Sequence, residues 1–594
     1  GVTQPRTHVT AGDKSLEMVQ QARILAAFLC GVSLIYEAES RFLGFGNEGH
    51  AHKNKWKGEQ VGSVHLKNGE LTFLKGMDED RGVAYGSFSD ADEHSSNFGQ
   101  LRIQTSEKYP DLVQMRAAGF LEGSLTHARI HDHYTNMMAW IRTQTKDLGP
   151  VVAWLEAQDL WAKMNARGED SALWQQTALV LAQLDGIVEG YAAAAPKEKQ
   201  LTRTEIVILN ALGDLLDLMP ALDPESRPDW NSMSSDEMLN RLSSSGHCSA
   251  LIKVNGDLTD IFFAHSSWFV YASMVRIYKH YSFAHQSQYT AANRTSFSSY
   301  PGVISSLDDF YLMDSGLAML QTTNSVLNTS LYDQVSPESL LAWQRVRVAN
   351  QMARNGPEWA DVIGTYNSGT YNNQYMVLDM NRFIPGEPLD DNLLTVVEQI
   401  PGLVKAGDVT QTLERGYWPS YNVPFFREVY DQSGYEQFLV QHSGRSKEFA
   451  NAVAGLDYQV APRAKIFRRD AGSVSDISSL KKIMRSNGWP LDAYSGGSPN
   501  GAVCSRGDLS PTRPAPVGCY DTKVSSYSMA LRMEAEAING PTTEGHPPFS
   551  WDSPSFSDVS HVGMPAVFDF QFELQSPSWD AWEKDIYFQP DAAS

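Results

Sequence analysis

The spacing of hydrophobic residues changes along the chain, from a helical period to the shorter runs typical of strands. Between about residues 110 and 222, Leu, Ala, Met and Trp recur at intervals of three and four, which predicts a helix-rich region. Beyond residue 247 turn residues separate short apolar runs, and we predict strands at CSALIKV, DIFFAH, FYLMDSGLAML, QYMVLDM and AKIFRRD. Helices followed by strands predict an α+β fold, provided that both parts share one core.

A polar, Ser-rich segment, residues 223–246, separates these two regions. We expect it to be an exposed connection that is open to cleavage. It leads directly to His247 and Cys248, at the start of the first predicted strand. A cut between these residues would give Cys248 an α-amine beside its thiol, so one residue would carry nucleophile and base, as in N-terminal threonine enzymes. The alternative is that Cys248 is a small buried apolar residue, as most free cysteines are.

The turn sequence NGD predicts that the first two strands form a hairpin. An Asn-Gly loop would place Cys248 opposite Phe263, and a Gly-Asp loop would place it opposite His265. Either register brings His265 within two residues of the thiol. The segment after it, SSWFVYASMVRIYKHY, is predicted to be a helix whose start holds Trp268.

An uncharged, mostly apolar run near the start, residues 24–35, has the layout of a secretory signal peptide. A buried helix is the alternative. We expect residues 1–17 to be upstream translated sequence or an expression remnant, and residues 18–40 to be the signal peptide. The mature chain would then begin at Arg41. Two glycosylation sequons, at Asn293 and Asn328, agree with a secretory route.

Charge and composition narrow the range of partners. The 594 residues are 42% hydrophobic, and 48 Lys and Arg against 70 Asp and Glu give a formal net charge of -22. Such a surface repels a phosphate backbone, so we expect no nucleic-acid partner. Apart from the signal peptide, no apolar run is long enough to span a membrane, and we expect no transmembrane segment.

Several short sequence patterns match known motifs but do not predict the corresponding functional site. The GxGxxG at residues 44–49 has no strand before it, so it does not predict a dinucleotide site. His127, His131 and His133 could place two imidazoles one helical turn apart, but no third ligand of matching spacing is evident. We expect them on an exposed helix face rather than on a metal. We therefore expect no metal and no cofactor. The absence of GxSxG argues against an α/β-hydrolase lipase.

Seven blocks in the second part of the chain resemble the phospholipase B-like family: GHCSALIK, FSSYPG, DDFY, QTTNSV, YNSGTYNNQYMVLD, YWPSYNVPFF and APRAKIFRRD. The resemblance implies an N-terminal nucleophile hydrolase with an αββα sandwich and a helix-rich N-terminal portion. It also implies secretion or lysosomal residence, and self-cleavage at the nucleophile. The N-terminal chain, 41–247, and the C-terminal chain, 248–594, would stay associated in one core.

The same resemblance assigns the site. Cys248 is the implied nucleophile, exposed by a cut after His247; the other implied pocket residues are His265, Trp268, Thr323, Asn422 and Arg463. An amide and a guanidinium aimed at a tetrahedral oxyanion would each contribute about 3 kcal/mol. Alternatively, Arg463 would hold a substrate carboxylate or phosphate by paired hydrogen bonds.

The family name implies removal of fatty acyl chains from glycerophospholipids. An amidase acting on N-acyl lipids or peptide-like amides is one alternative, because most N-terminal nucleophile enzymes are amidases. A non-catalytic lysosomal glycoprotein, whose thiol serves only its own cleavage, is another. At acid pH the histidines gain charge and some carboxylates lose it, which would permit peripheral contact with a lipid surface.

The four cysteines receive separate assignments. Cys30 leaves with the signal peptide, and Cys248 is reserved for chemistry. Cys504 and Cys519 are then the remaining candidates for a structural disulfide in an oxidising compartment.

Overall fold

The computed structural model describes residues 59–91, 97–168, 171–234, 247–442, 444 and 453–577. All of them belong to one structural unit, Gly58–Ser594. The predicted signal peptide and Cys30 lie outside the described residues, as does the second half of the Ser-rich connection. The first half of that connection, residues 223–234, is largely exposed, as the sequence predicts.

Helices and strands alternate in blocks along the chain. The strands are β1 (Gln60–Lys67), β2 (Glu70–Lys75), β3 (Ala84–Ser89), β4 (Gly99–Thr105), β5 (His247–Val254), β6 (Ile261–Val270), β7 (Ile277–Ser282), β8 (Arg294–Ser299), β9 (Phe310–Met313), β10 (Leu317–Thr323), β11 (Asn373–Asp379), β12 (Leu394–Ile400), β13 (Leu403–Asp408), β14 (Tyr417–Ser420), β15 (Val517–Cys519), β16 (Asp521–Ser526), β17 (Ala535–Asn539), β18 (Phe549–Ser550), β19 (Val567–Phe568) and β20 (Glu573–Gln575). The helices are α1 (Asp111–Gln144), α2 (Gly149–Gly168), α3 (Ala172–Ala194), α4 (Arg203–Asn210), α5 (Leu212–Leu222), α6 (Ala342–Met352), α7 (Gly356–Gly364), α8 (Thr410–Leu413), α9 (Arg427–Gln432), α10 (Tyr435–His442), α11 (Pro462–Asp470), α12 (Ile477–Met484) and α13 (Tyr527–Ala530).

Two large sheets organise these elements. The first has eleven strands in the order β13-β12-β11-β10-β9-β8-β7-β4-β3-β1-β2. Its neighbours pair antiparallel except β4 and β7, which run parallel from Gly99 opposite Ile277 to Gln104 opposite Ser282. The second sheet has the order β14-β5-β6-β16-β17-β20, and β15 also pairs with β6. The fold is therefore mixed α and β, as the sequence predicts.

Buried side chains show how the sheets are covered. One cluster joins the two sheets and includes Ile252 and Phe263 from the second and Leu320 and Met376 from the first. The other face of the first sheet packs against α1, α3, α6 and α7. The other face of the second sheet packs against α10, α11 and α12. Three of the core clusters contain residues from both sides of Cys248.

The first sheet contains eight strands that the sequence pattern did not predict: β1 to β4, β7, β8, β12 and β13. β1 to β4 precede the helical region and interleave apolar residues with Ser and Gly, as in QVGSVHLK and AYGSFS, so their alternation is weak. The helical region itself is confirmed by α1 to α5. Within it, Gly119 of α1 lies so close to Gln183 of α3 that a Cβ would stand 1.9 Å from the Gln183 carbonyl oxygen.

Both predicted registers of the β5–β6 hairpin are wrong. Cys248 pairs with Ser267, and Ala250 pairs with His265. The connection between the strands is longer than a two-residue turn, because Asn255 N donates to the Asp260 carbonyl at 3.2 Å and Asn255 Oδ1 accepts from Asp260 N at 2.9 Å. This longer loop shifts the pairing by two to four residues.

Two secondary-structure predictions are also wrong. The segment from residue 266 to residue 281 is not a helix: β6 continues through Val270 between β5, β15 and β16, and β7 follows. Strand pairing on both sides outweighs the helical spacing of its apolar residues. AKIFRRD forms α11 rather than a strand, since Pro462 stands in its first turn and Ile466 and Phe467 turn to the core.

Candidate active site

Cys248 lies near the start of β5, with its side chain on the face that packs against the first sheet. Ala250, Ile252 and Val254 of the same face belong to the core between the sheets. The Cys248 side chain is 4% exposed. Burial raises the pKa of its thiol to about 12, although the Trp268 backbone and the charge of Lys523 partly oppose that rise. The thiol is therefore protonated and inert at neutral pH until a base removes its proton.

The thiol opens into a small pocket with a free volume of about 30 Å³. Most of the wall is apolar or aromatic. The lining residues are Leu212, Gly213, Leu216, Cys248, Ser267, Trp268, Phe269, Tyr300, Leu307, Asp308, Thr323, Tyr371 and Tyr520. Helix α5, which precedes Cys248 in the chain, thus supplies part of the wall. Gly213 permits this approach, because a Cβ there would stand 2.6 Å from the Tyr371 ring.

Asn422 and Arg463 hold the backbone of Cys248. Cys248 N donates to Asn422 Oδ1 at 3.0 Å, and Arg463 Nη1 donates both to that oxygen, at 2.8 Å, and to the Cys248 carbonyl. The Asn422 amide donates to the Thr323 carbonyl at 2.6 Å. Asn422 has φ 68°, so its side chain reaches β5 from a left-handed position in the loop after β14.

The Arg463 guanidinium is held by hydrogen bonds and by stacking on an aromatic ring. Besides Cys248 and Asn422 it donates to Tyr421 O at 2.8 Å, and its guanidinium stacks 4.4 Å from the Trp268 ring centre. Neither Arg463 nor Asn422 lines the pocket. The predicted role of these two residues as oxyanion donors gains no support from this arrangement, because neither side chain lines the pocket. They fix the position of the Cys248 backbone instead.

Ser267 is the direct cross-strand neighbour of Cys248 and connects it to a buried cluster of charges. Ser267 Oγ donates to Asp308 at 3.0 Å and accepts from Lys523 Nζ at 2.6 Å. Lys523 Nζ also donates to Asp308 at 2.6 Å and to Asp521 at 2.8 Å. Arg276 pairs with Asp308 at 3.1 Å and with Asp521 at 2.9 Å. All four charged side chains are at most 3% exposed, and their charges balance.

His265 lies in the same layer, two residues along β6 from Ser267. Its Nδ1 is 3.4 Å from Ser267 Oγ, and its ring is fully buried. Burial and the charge of Lys523 lower the pKa of His265 well below its usual value, so the imidazole is neutral. The observed register places Ser267, rather than His265, directly opposite the thiol.

A metal ion does not suit this cluster. One ligand atom from each of His265, Asp308 and Asp521 lies within 4.8 Å of the others. Lys523 and Arg276 already neutralise both carboxylates, so a cation would have to displace a buried ammonium from three hydrogen bonds. The donor set is therefore that of an ion-pair cluster rather than of a metal site.

The remaining predicted residues fall in different surroundings. Thr323 ends β10 and lines the pocket, and its carbonyl holds Asn422. Asn293 is exposed, whereas Asn328 is half-buried with its amide 3.3 Å from Gln432 O. His133, expected on an exposed face, is instead fully buried against Tyr300. His247 begins β5 opposite Trp268.

The disulfide prediction is confirmed: Cys504 bonds to Cys519, and the pair packs against Trp268. Cys248 is the free cysteine of the described residues. We expect a thiol reagent to find one thiol in the unfolded mature protein and to react far more slowly with the native protein, because Cys248 is buried. Colour development with the reagent, with and without urea, measures both. Three reactive thiols after unfolding would contradict the pairing.

The sequence reading missed Ser267, Asp308 and Lys523. A usable signal was present in DTKVSS, where Asp521 and Lys523 alternate on one face of a segment that otherwise reads as a buried strand. Charged residues two apart in such a strand must find partners inside the protein.

Comparisons with known proteins identify a family model and several relatives that match this chain. A family model described as Phospholipase B matches residues 84–574, which include every site residue described above. Phospholipase B-like 1 of Rattus norvegicus is 45% identical over 539 residues, covering 89% of this chain and 94% of the rat protein. Phospholipase-B 81 of Drysdalia coronoides is 44% identical, covering 87% of this chain and 92% of its own length. Phospholipase B-like protein D of Dictyostelium discoideum is 37% identical, covering 85% and 89%.

Proposed function

Because this chain belongs to the phospholipase B family, we propose that it is an acyl hydrolase that cuts itself and then removes fatty acyl chains from glycerophospholipids through Cys248. The observation that carries the proposal is the position of the thiol. It opens into a pocket with largely apolar walls, while Asn422 and Arg463 clamp its backbone. An apolar wall beside a nucleophile suits the carbonyl end of an acyl chain, and at about 30 Å³ the pocket would have to widen to admit the rest of the chain.

The proposal includes the αββα fold of N-terminal nucleophile hydrolases. Packing of the two sheets against each other, with helices on their outer faces, supports it. We assign residues 41–247 and 248–594 as the two chains of the cut protein. Core clusters built from both segments support their lasting association.

Self-cleavage would proceed by transfer of one acyl group. The Cys248 sulfur attacks the His247 carbonyl carbon, a carbon–sulfur bond forms, and the carbon–nitrogen bond between the two residues breaks. The thiol proton passes to the departing nitrogen, which becomes the α-amine. Water then hydrolyses the thioester and releases a carboxylate on His247 and a free thiol on Cys248. One water is consumed, and no cofactor is needed.

Turnover would repeat this chemistry on the substrate. The α-amine accepts the thiol proton, the sulfur attacks the acyl carbonyl, and the resulting ammonium returns the proton to the leaving alcohol. Water hydrolyses the thioester with the same amine as base and releases the fatty acid. An amide substrate would follow the same route with an amine as leaving group.

Fatty acid release from phosphatidylcholine by the cut protein tests the proposal, with an N-acyl amide of equal chain length in parallel. Faster release from the ester supports a phospholipase. Faster release from the amide would reassign the enzyme as an amidase. No release from either substrate would leave a glycoprotein whose thiol serves only its own cleavage.

We also propose that the protein is secreted or lysosomal and is glycosylated at Asn293 and Asn328. The exposure of Asn293 supports modification there, and the half-buried amide of Asn328 makes it the poorer acceptor. Among the described helices, none combines the length and the apolar character needed to cross a bilayer. Contact with lipid would then be made from the protein surface.

Replacing Leu216 by Trp is expected to discriminate against long acyl chains. Leu216 is a half-buried residue of the pocket wall, and an indole would occupy space that an acyl chain needs. We expect release of long acyl chains to fall by roughly 10-fold or more, while the self-cleavage bands remain. The measurement compares kcat/KM for short and long acyl esters. Leu160→Trp, the same change at an exposed position of α2, is the control; equal loss in both variants would contradict the assignment.

A further inference from the structure

The backbone nitrogen of Cys248 and the guanidinium of Arg463 are held on the same oxygen atom. Cys248 N lies 3.0 Å and Arg463 Nη1 lies 2.8 Å from Asn422 Oδ1. Arg463 Nη1 also donates to the Cys248 carbonyl. A positive charge is therefore fixed within two hydrogen bonds of the atom that a cut after His247 would turn into an α-amine.

We propose that Arg463 controls the protonation state of this new N-terminus: its guanidinium keeps the α-amine of Cys248 in the neutral, proton-accepting form at acid pH. The inference rests on the proposed function, since without the cut there is no α-amine. Arg463 is a positioning residue here, because it acts through the amine and does not line the pocket.

The other charged groups around Cys248 do not cancel this effect. Before the cut, two carboxylates and three cations surround it, which leaves one positive charge in excess: Arg276, Asp308, Arg463, Asp521 and Lys523. Four of them form ion pairs with one another in the buried cluster beside Ser267: Arg276, Asp308, Asp521 and Lys523. Within the part of the chain that the structure describes, Arg463 donates hydrogen bonds to Cys248, Ser249, Tyr421 and Asn422, and none of these contacts is to a carboxylate. The carboxylate that the cut leaves on His247 belongs to a chain end that is no longer bonded to Cys248.

The other titratable groups near this atom are neutral at acid and neutral pH. Burial lowers the pKa of His265 well below its usual value and raises that of the Cys248 thiol to about 12. Burial also raises the pKa of every tyrosine that faces the site: Tyr300, Tyr371, Tyr421, Tyr435 and Tyr520. No negative charge from this set would stabilise an ammonium.

The nearby positive charge of Arg463 and burial therefore both lower the pKa of the Cys248 α-amine. An unperturbed α-amine titrates at about 7.7 to 8.0. A cation at this distance in a partly shielded site lowers that value by about two pH units, and burial lowers it further. Arg463 keeps its own charge, because burial lowers its pKa only to about 9. The amine accepts protons only above its pKa, so a lowered pKa extends its use as a base to acid pH.

The pH dependence of kcat/KM for the cut protein tests this inference, since its acid limb reports the base of the free enzyme. We expect a midpoint below about pH 6 for the wild-type protein and for Arg463→Lys, which keeps the charge. For Arg463→Gln we expect the midpoint to move up by about two pH units. Arg468→Gln, at an exposed position of the same helix, is the matched control and is expected to leave the midpoint unchanged.

A second measurement does not require activity. Carbon NMR of protein labelled at cysteine Cβ follows the amine of Cys248 directly, because the two cysteines of the disulfide do not titrate. If Arg463→Gln is not cut, the titrations of the Cys248 α-amine in the wild-type protein and in Arg463→Lys still test the inference. An α-amine that titrates at about 7.7 or above in cut wild-type protein would overturn this inference alone. A wild-type chain that is never cut would overturn the proposed function as well, and a denaturing gel distinguishes the two results.

Discussion

Replacing Cys248 by alanine is expected to leave the chain in one piece and to lower fatty acid release by roughly 10⁴-fold or more. The variant lacks the sulfur that would form both thioesters, and the hydroxyl directly across the strand pair, that of Ser267, is held between Lys523 and Asp308. The substitution removes a small side chain and leaves the backbone clamp intact. A denaturing gel and fatty acid release from phosphatidylcholine measure the two effects.

Cys248→Ser is the companion variant, because it keeps an oxygen nucleophile of nearly the same size. We expect it to be cut slowly and to turn over far more slowly than the wild-type protein. If the alanine variant were cut at the same bond, an outside protease would be responsible. If it released fatty acid at the wild-type rate, the chemistry would have to lie at another site.

Replacing Asp308 by asparagine is expected to lower the free energy of unfolding by about 3–5 kcal/mol. The change keeps the shape of the side chain but leaves Arg276 and Lys523 facing one carboxylate instead of two. The variant is less stable because a buried positive charge is left without a compensating negative charge. Urea unfolding measures the loss, with both proteins in a Cys248→Ala background so that neither is cut.

Asp333→Asn is the matched control, since Asp333 pairs with Arg227 at 2.9 Å but is 71% exposed. We expect it to cost at most about 1 kcal/mol. Equal costs at the two positions would show that the buried cluster has no special weight. The cations beside Asp308 hold its pKa below the usual value. Its stabilisation is therefore present above the unfolded pKa and is lost only as the pH falls through the lower folded value, so acidification to pH 5 should not remove it.

The sequence predicted those features that depend on short stretches of chain. Helical spacing located α1 to α5, and an apolar run after a polar connection located β5 with Cys248 at its start. The disulfide followed because the other cysteines had been assigned elsewhere. Local pattern was sufficient for the helices and for β5, whereas the disulfide also depended on the family resemblance that reserves Cys248 for chemistry.

Features that depend on contacts between distant segments were not predicted. The hairpin register was set by a longer loop than the turn sequence suggested, so Ser267 lies opposite Cys248, where Phe263 or His265 was expected. Strand pairing by β15 and β16, far along the chain, made the segment around Trp268 a strand. Family resemblance named Asn422 and Arg463, but only their hydrogen bonds showed that they grip the backbone of Cys248 rather than face the pocket.

The parallel contact between β4 and β7 has a consequence for the life of the cut protein. One of these strands would belong to each product chain, and they lie side by side in the middle of a single sheet. The products would then be an obligate heterodimer that dilution does not separate. Before the cut, refolding involves a single chain. After the cut, two unfolded chains must associate, and each exposes its part of the hydrophobic core until they do. Self-cleavage would thus convert a reversible fold into one that persists because its unfolding is slow.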